Sequence, residues 1–231
     1  MKSILITGAS SGIGAAAALD LASPVHHLVL AARSEDKLQA VAEQVRANGG
    51  IADVVPTDLE GPTNFDGLVS KLPDGYPVLV NCAGVGVFAN YADLAWEDVE
   101  RQFRLNLLAP ARLIHALLPT MLERGGGQIV NVLSMAATHV LPGANAYSAS
   151  KSALLTLAKT ISQEYRSQGI RVTNLLPGAT DTSIWDGSPM ESRKPEMIPT
   201  EDVASLIGQI VRSSDSYNLD EILMMPPKGV L

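Results

Sequence analysis

A tyrosine and a lysine four residues apart form the pair in this sequence best suited to moving a proton. They belong to the stretch Tyr147-Ser148-Ala149-Ser150-Lys151, which is predicted to open a helix. Residues i and i+4 share one face of a helix, so the ammonium of Lys151 is expected near the phenol of Tyr147. A free tyrosine has a pKa of about 10, and a nearby cation brings that pKa towards the working pH. The pair is a candidate general acid and base.

Ser134 is the candidate partner of this pair, because its hydroxyl could donate a hydrogen bond to a substrate oxygen. It follows the apolar run at residues 128–133, which predicts a strand. Taken alone, a tyrosine four residues before a lysine often occurs by chance. A tyrosine packed at a helix start beside a solvated lysine would then account for the spacing. The presence of Ser134 and of a glycine-rich turn near the N-terminus argues against that explanation.

The glycine-rich turn joins the first predicted strand to the first predicted helix and reads Thr7-Gly8-Ala9-Ser10-Ser11-Gly12-Ile13-Gly14. Glycines let the backbone turn sharply and approach a pyrophosphate, which the free N–H groups of a helix N-terminus bind. The spacing differs from the usual G-x-G-x-x-G, and no Lys-Ser/Thr pair follows as in a Walker loop. A glycine-rich connection that binds nothing is the alternative. The expected contacts are Gly8, Ser10, Ser11, Gly12, Ile13 and Gly14.

The end of the second predicted strand indicates which dinucleotide would bind. An acidic residue there would bind a free ribose 2′-hydroxyl. The sequence instead has Ala31-Ala32-Arg33-Ser34. Arg33 can bind a 2′-phosphate through charge-assisted hydrogen bonds, and Ser10 can add a hydroxyl. The sequence favours NADP(H), with NAD(H) as a possibility and Arg33 as a solvated loop cation as the competing interpretation.

Alternating strands and helices must position these residues. The predicted strands are 4–6, 27–30, 51–55, 78–80, 128–133, 170–175 and 221–224, and the predicted helices are 12–22, 35–47, 64–71, 97–123, 147–167 and 200–212. Runs that are apolar on both faces, with helices between them, are typical of a doubly wound parallel sheet, which binds ligands beyond the carboxyl ends of its strands. No repeat or linker divides the chain, so a single α/β domain over residues 1–231 is expected. Ser34 and Thr200, each followed by two acidic residues, are predicted helix starts with a capping acceptor.

Composition and charge exclude several classes of function. Seventeen Lys and Arg against 24 Asp and Glu give a net charge of −7, which opposes binding to nucleic acids and to anionic membrane surfaces. One cysteine excludes an internal disulfide, and the four histidines have no metal-ligand spacing, so no metal is expected. No apolar run is long enough for a membrane span, and no signal peptide is recognisable, so a cytoplasmic location is expected.

Together, these motifs resemble the tyrosine-dependent short-chain dehydrogenase/reductases, in the right order over nearly the whole chain. The resemblance implies a seven-stranded, Rossmann-like parallel sheet with helices on both faces. It implies hydride transfer between a nicotinamide and a carbonyl or secondary alcohol carbon, with Tyr147 as general acid/base. Ser134 would orient the carbonyl, and Lys151 would bind the ribose and tune Tyr147. The motifs that carry it are the glycine turn, Asn81-Cys82-Ala83-Gly84, Ser134, Tyr147 with Lys151, and Pro177-Gly178 with Thr182.

The resemblance also implies further cofactor contacts. Asp58, just after the third strand, matches an acid that contacts the adenine amino group, although an ordinary turn aspartate would look the same. Cys82 stands where the family often has a second asparagine, which leaves the local hydrogen bonding open. The other expected cofactor contacts are Ser34, Leu59, Asn81, Ala83, Gly84, Pro177, Gly178, Thr180 and Thr182.

Asn106 matches the family's fourth catalytic position, and the sequence offers a physical reason. Pro110 has no N–H, so the backbone carbonyl of residue 106 loses its normal helical partner. A freed carbonyl can hold a water and extend a proton relay from Lys151 to solvent. The competing interpretation is a proline kink that only shapes the helix.

Loops above the tyrosine decide the substrate in this family, and here they include a small predicted lid at about residues 183–199. The expected substrate contacts are Val85, Met135, His139, Trp185 and Met190. The sequence does not identify the substrate beyond a small carbonyl or alcohol. The alternative function is a non-catalytic dinucleotide-binding sensor on the same fold, against which the intact Ser134, Tyr147 and Lys151 argue. Small residues at the start of the 147–167 helix, together with the pairing of long helices that is common in the family, predict a homodimer or homotetramer.

Overall fold

A computed structural model describes all 231 residues. The chain forms one parallel sheet in the order β3-β2-β1-β4-β5-β6-β7, which confirms the predicted doubly wound, seven-stranded architecture. The order reverses between β1 and β4, where a ligand crevice is expected. The strands are β1 (Lys2–Thr7), β2 (His26–Ala32), β3 (Ile51–Pro56), β4 (Tyr76–Asn81), β5 (Gly127–Val132), β6 (Ile170–Pro177) and β7 (Glu221–Met224).

Helices cover both faces of the sheet. Neighbouring residues of β1 show this, because Ile4 and Ile6 belong to one large hydrophobic cluster and Leu5 to the other. Successive side chains of a strand point to opposite faces, so each cluster fills one side. The helices are α1 (Gly12–Asp20), α2 (Glu35–Ala47), α3 (Phe65–Val69), α4 (Trp96–Phe103), α5 (Ala109–Glu123), α6 (Asn145–Tyr165) and α7 (Thr200–Arg212).

The predicted helix at 97–123 is not regular throughout. A π-helical turn, Arg104–Leu108, lies between α4 and α5, and Pro110 follows it at the start of α5. An 18-residue window within the stretch Trp96–Glu123 has a mean hydropathy of 1.3, so by length and composition this stretch could cross a membrane, and 44% of that window is buried in the protein. Single-turn π segments are frequent at functional sites, and this one carries Asn106.

The capping prediction was wrong in detail at two helix starts. Ser34 occupies the N-cap position of α2, but its side chain accepts no hydrogen bond from the helix. Thr200 is the first helical residue of α7, and Pro199 precedes it at the cap. Both helices do carry two acidic residues in the first turn, so favourable charge at the N-terminal dipole replaces a side-chain cap.

Candidate active site

A cavity of about 610 Å³ lies at the carboxyl ends of the strands, where the sheet order reverses. Its lining comes from the segments that follow β1 to β6 and from Val230 and Leu231, which lie beyond β7. Because β2 and β3 lie on one side of β1, and β5 and β6 lie beyond β4 on the other, the lining divides into two ends. The glycine turn, Arg33 and Asp58 form the first end, and Ser134 and Tyr147 form the second.

The glycine turn has the shape that the sequence predicts, and each glycine has its own reason. Gly8 has a φ of +66°, and a Cβ there would lie 2.9 Å from the amide nitrogen of Ala83. A Cβ on Gly14 would overlap the carbonyl oxygen of Gly8. Gly12 has a φ of +52°, a conformation that other residues rarely adopt. No other residue type fits these three positions without strain.

The turn leaves the start of α1 open to an anion. Ser11, at the N-cap, makes no side-chain hydrogen bond to the helix, and the first turn holds no acidic residue. The first amide N–H groups of a helix have no partner within it, and the helix dipole favours negative charge there. Because the cavity includes Ser11, Gly12 and Ile13, this helix start can bind a phosphate group.

Thr7 joins the two strands at which the sheet order reverses. Its Oγ1 accepts hydrogen bonds from the backbone N–H groups of Cys82 (3.1 Å) and Ala83 (3.2 Å). At the next residue, Gly84, a Cβ would lie 3.2 Å from Oδ1 of Asn106 and 3.3 Å from Nζ of Lys151, which is closer than an ordinary contact. The backbone after β4 therefore passes between the glycine turn and the buried lysine.

Two cations line the end of the cavity beyond β2. Arg33 is largely exposed (64% of its side chain) and its NH1 lies 3.4 Å from Oε1 of Glu60. Glu60, only 18% exposed, is also paired with Arg101, whose Nε lies 2.9 Å from Oε2. Lys37, in the first turn of α2, is the second cation lining this end. Sequence reasoning missed Lys37 and Glu60, although a lysine four residues after Arg33 was a visible signal for Lys37.

Ser134, Tyr147 and Lys151 meet at the other end of the cavity. Ser134 follows β5 and its Oγ accepts a hydrogen bond from the N–H of Ala136 at 3.1 Å. Tyr147 lies in the first turn of α6, and Nζ of Lys151 is 5.8 Å from the centre of its ring. The ammonium of Lys151 is buried and donates a hydrogen bond to the carbonyl of Val132 at 3.0 Å.

Burial has the largest effect on the pKa values of Tyr147 and Lys151. It raises the pKa of the Tyr147 phenol above its usual value, and hydrogen bonding with Ser134 opposes this only in part. Burial also lowers the pKa of Lys151 to about 8, with the Cys82 thiol opposing. The predicted lowering of the Tyr147 pKa is therefore not found, because loss of solvation outweighs the hydrogen bond with Ser134. Burial raises the pKa of Cys82 to about 12, so this thiol is no nucleophile near neutral pH.

Asn106 lies beneath the cavity and does not line it. Its Nδ2 donates to the carbonyl of Val85 (2.9 Å) and to Oγ of Ser150 (3.1 Å), and its Oδ1 accepts from the N–H of Val85 (2.9 Å). Gln102, four residues earlier, accepts from the N–H of Val87 at 3.0 Å. The two amide side chains together hold the loop after β4. The side chain of Asn106 therefore contacts the loop backbone and Ser150, and sequence reasoning missed Gln102.

Asn81 and His139 do not lie where the sequence predicts them. Asn81 is buried in the sheet, where its Nδ2 donates to Oδ1 of Asn131 at 2.9 Å, and Asn131 donates in turn to Asn174. These asparagines are in register on β4, β5 and β6, so Asn81 links strands and is not among the cavity-lining residues. His139 is exposed, with Nδ1 close to the carbonyl of Met135 (3.2 Å), and is also outside the lining.

All the other predicted cofactor contacts line the cavity. So do four of the five predicted substrate contacts, namely Val85, Met135, Trp185 and Met190. The 183–199 segment holds two short 3-10 helices, Ser183–Trp185 and Glu191–Glu196, and a parallel bridge between Thr180 and Ile198 ties it to the end of β6. Phe88, in the same loop as Val85, also lines the cavity and is not among the predicted substrate contacts.

Known proteins share both the sequence and the fold of this chain. A fatty acyl-CoA reductase of Mycobacterium tuberculosis is 40% identical over 200 residues, which cover 81% of this chain and 68% of that protein. An alcohol dehydrogenase from the archaeon Thermococcus sibiricus, solved with 5-hydroxy-NADP, superposes with a TM-score of 0.89 at 25% identity, covering 98% of this chain and 97% of the other. A 7α-hydroxysteroid dehydrogenase, solved with NADH and 7-oxo glycochenodeoxycholic acid, also has a TM-score of 0.89, at 26% identity, with coverages of 99% and 94%.

The family assignment rests on most of the chain. The model of the short chain dehydrogenase family matches residues 2–192, which hold the glycine turn, Ser134, Tyr147 and Lys151. Further similar solved structures are complexes with NADP or NADPH. With its seven-stranded sheet and the cavity at its switch point, this chain belongs to the short chain dehydrogenase family of oxidoreductases.

Proposed function

We propose that this protein is an NADP(H)-dependent oxidoreductase that interconverts a carbonyl compound and a secondary alcohol, as a carbonyl reductase or alcohol dehydrogenase. The observation that carries the proposal is one cavity with an anion-binding glycine turn at one end and Ser134, Tyr147 and Lys151 at the other. The residues fit a dinucleotide, because no Cβ fits at Gly8 or Gly14 of the turn and the side chain of Ser11 does not cap the start of α1. When bound, the nicotinamide supplies or accepts the hydride.

The chain's own residues handle the substrate oxygen and its proton. Tyr147 gives its phenolic proton to the oxygen in reduction and takes it back in oxidation. Because burial raises the pKa of Tyr147, the phenol holds its proton at neutral pH and is ready to act as an acid. The hydroxyl of Ser134 donates to the same oxygen, and Lys151 holds the ribose and stabilises the phenolate once it forms.

The charges beyond β2 favour NADP(H) over NAD(H). The strand ends without an acid for a free 2′-hydroxyl, while Arg33 and Lys37 line this end of the cavity. Glu60, the acid that pairs with Arg33, also pairs with Arg101 and at a shorter distance. A 2′-phosphate would lie between two cations, with charge-assisted hydrogen bonds from the guanidinium. Similar solved structures that hold NADP or NADPH support the same choice, although one holds NADH.

Replacing the tyrosine tests the proposal. Tyr147→Phe should lower turnover about a hundredfold or more, because general acid catalysis is lost. NADPH binding should stay within about twofold of the wild type, since the phenyl ring keeps the shape of the cavity wall. We would measure NADPH oxidation on a carbonyl panel, and NADPH affinity by fluorescence titration.

Tyr91→Phe is the matched control, because Tyr91 is an exposed tyrosine of the loop after β4 and does not line the cavity. This control should keep wild-type turnover. Substantial turnover by Tyr147→Phe would overturn the role of Tyr147. NADPH binding by the wild type without oxidation on any carbonyl would favour the dinucleotide sensor instead.

A further inference from the structure

An aromatic stack stands beside the proposed acid. The ring of Phe88 meets Tyr147 edge-on, with centroids 5.4 Å apart and planes at 62°. The indole of Trp185 stacks on the other side of Phe88, with centroids 5.0 Å apart and planes at 14°. The stack joins the loop after β4 to the 183–199 segment and forms one wall of the substrate end.

This wall is tightly held and offers few polar groups. The indole N–H of Trp185 donates to the carbonyl of Thr180 at 3.0 Å, so it is used inside the protein. A Cβ on Gly86 would lie 2.8 Å from Cζ of Phe88 and 3.0 Å from Cδ1 of Ile184, so these side chains fold directly over the glycine. The surface beside Tyr147 is therefore aromatic and aliphatic.

All but one of the charged side chains that line the cavity lie at its other end. Four of the five charged lining residues follow β2 and β3, namely Arg33, Lys37, Asp58 and Glu60. The fifth, Lys151, is buried and bonded to the carbonyl of Val132.

The charges of the 183–199 segment pair with one another or with nearby surface residues. Lys194 pairs with Asp186 and lies near Asp181, and Glu196 pairs with Arg193 and Lys228. None of these six side chains lines the cavity, and neither does Glu191, whose carboxylate accepts a hydrogen bond from the N–H of Gly187, so they offer a substrate no charged partner there.

We propose that the substrates of this site are ketones or aldehydes whose substituents near the carbonyl are apolar and uncharged, with a flat ring or an alkyl chain against Phe88 and Trp185. This inference rests on the proposed function and narrows it. A carboxylate or phosphate near the reacting carbon would lose its hydration beside this wall without gaining a partner. Apolar groups have no hydrogen bonds with water to lose on entering the site, and they gain contact with the aromatic faces.

Three acetophenones, of which only one carries a charge, test the substrate class. We would compare acetophenone, methyl 4-acetylbenzoate and 4-acetylbenzoate with saturating NADPH. The ester and the acid have nearly the same shape, so the pair separates charge from size. The expected kcat/KM of the carboxylate is at least about a hundredfold below that of the ester, since a site without a partner rejects a buried charge strongly.

Variants of the stack test which residues bind the apolar group. Trp185→Ala and the milder Phe88→Leu should raise KM for acetophenone, Trp185→Ala by about fivefold to tenfold, with little change in kcat or in NADPH affinity. Trp96→Ala is the matched control, because Trp96 is a surface tryptophan with 61% of its area exposed and does not line the cavity. This control should keep the wild-type KM.

Each result separates the substrate class from the function itself. Equal kcat/KM for the ester and the carboxylate would overturn the proposed substrate class while leaving the oxidoreductase function intact. An unchanged KM in both stack variants would overturn the role of Phe88 and Trp185. NADPH binding without turnover of any of the three compounds or of the wider carbonyl panel would overturn the function and the inference together.

Discussion

At the scale of single residues, Tyr147 and Lys151 illustrate how burial changes a prediction based on spacing. Their i, i+4 spacing correctly predicts that they share a face of α6 and line one cavity. Spacing carries no information on solvation, and it is solvation that raises the pKa of the phenol and lowers that of the ammonium to about 8. A sequence pattern can place two groups together without fixing which protonation state each prefers.

Arg33 belongs to a three-membered charge cluster, which bears on cofactor choice. Glu60 holds Arg33 at 3.4 Å and Arg101 at 2.9 Å. A 2′-phosphate at Arg33 must compete with the carboxylate of Glu60, although that carboxylate retains Arg101 as a partner. Glu60 is therefore expected to moderate the preference for NADP(H) that Arg33 creates.

Two substitutions at this cluster should move NADPH affinity in opposite directions. Arg33→Ala should raise the Kd of NADPH about tenfold to a hundredfold, because a charge-assisted contact is worth about 1.5–3 kcal/mol. Glu60→Gln should lower it a few-fold by releasing the guanidinium. The Kd of NADH should hardly change in either variant, since NADH lacks the 2′-phosphate. Fluorescence titration with both dinucleotides measures all four values.

Arg104→Ala is the control for this pair of variants, because Arg104 is an exposed arginine that pairs only with Glu100. It should leave both affinities unchanged. Parallel changes in the affinities for NADPH and NADH on Arg33→Ala would mean that Arg33 does not contact the 2′-phosphate.

At the scale of elements, α4 and the π turn act together on the loop after β4. Gln102 and Asn106 are one helical turn apart and bond to the backbone of Val87 and Val85, two residues apart. Asn106 bonds both the N–H and the carbonyl of Val85, much as a neighbouring strand would. The helix thereby fixes the loop that carries Gly84 and Phe88 into the cavity.

Alanine variants of Asn106 and Gln102, compared with each other, test the predicted proton relay through Asn106. Asn106→Ala should lower the melting temperature, because the buried N–H and carbonyl of Val85 lose their partners at about 1–3 kcal/mol each. If Asn106 also positions a relay from Lys151, the same variant should lower kcat and shift its pH profile. Thermal unfolding and kcat between pH 6 and about pH 9, a range that spans the Lys151 pKa of about 8, would be measured.

Gln102→Ala is the matched variant, since it releases the same loop farther from Lys151. It should lower the melting temperature and raise KM while its pH profile stays that of the wild type. Identical pH profiles for the two variants would mean that Asn106 acts only as a clamp on the loop.

At the scale of the whole molecule, the sheet order brings distant segments of the chain to one cavity. Residues of the first 60 positions form one end, and residues beyond position 130 form the other together with Val85 and Phe88 of the loop after β4, because β1 and β4 are neighbours. The same compact arrangement leaves the outer faces of the long helices free. Leu108, on the π turn, has half of its area exposed, and Ala149 at the start of α6 is exposed beside other small residues.

A homodimer or homotetramer formed through these helices is the expected assembly. Sedimentation equilibrium should give two or four times the mass of the chain. Leu108→Glu should reduce that mass, because it places a charge in an apolar contact. Val140→Glu should not, since Val140 lies on a loop outside these helices although it is almost fully exposed. A monomeric mass for the wild type would contradict the prediction.

The sequence by itself determined the seven strands, the glycine turn, the Tyr147–Lys151 pair and the absence of an acid after β2, because each is a local pattern read along the chain. Only the tertiary structure decided what depends on residues far apart. It placed Asn81 in a row of hydrogen-bonded asparagines across three strands. It also paired Glu60 with two arginines and stacked Trp185 on Phe88. It also reversed the expected shift of the Tyr147 pKa. Solvation and contacts between distant segments come from packing, which spacing along the chain does not encode.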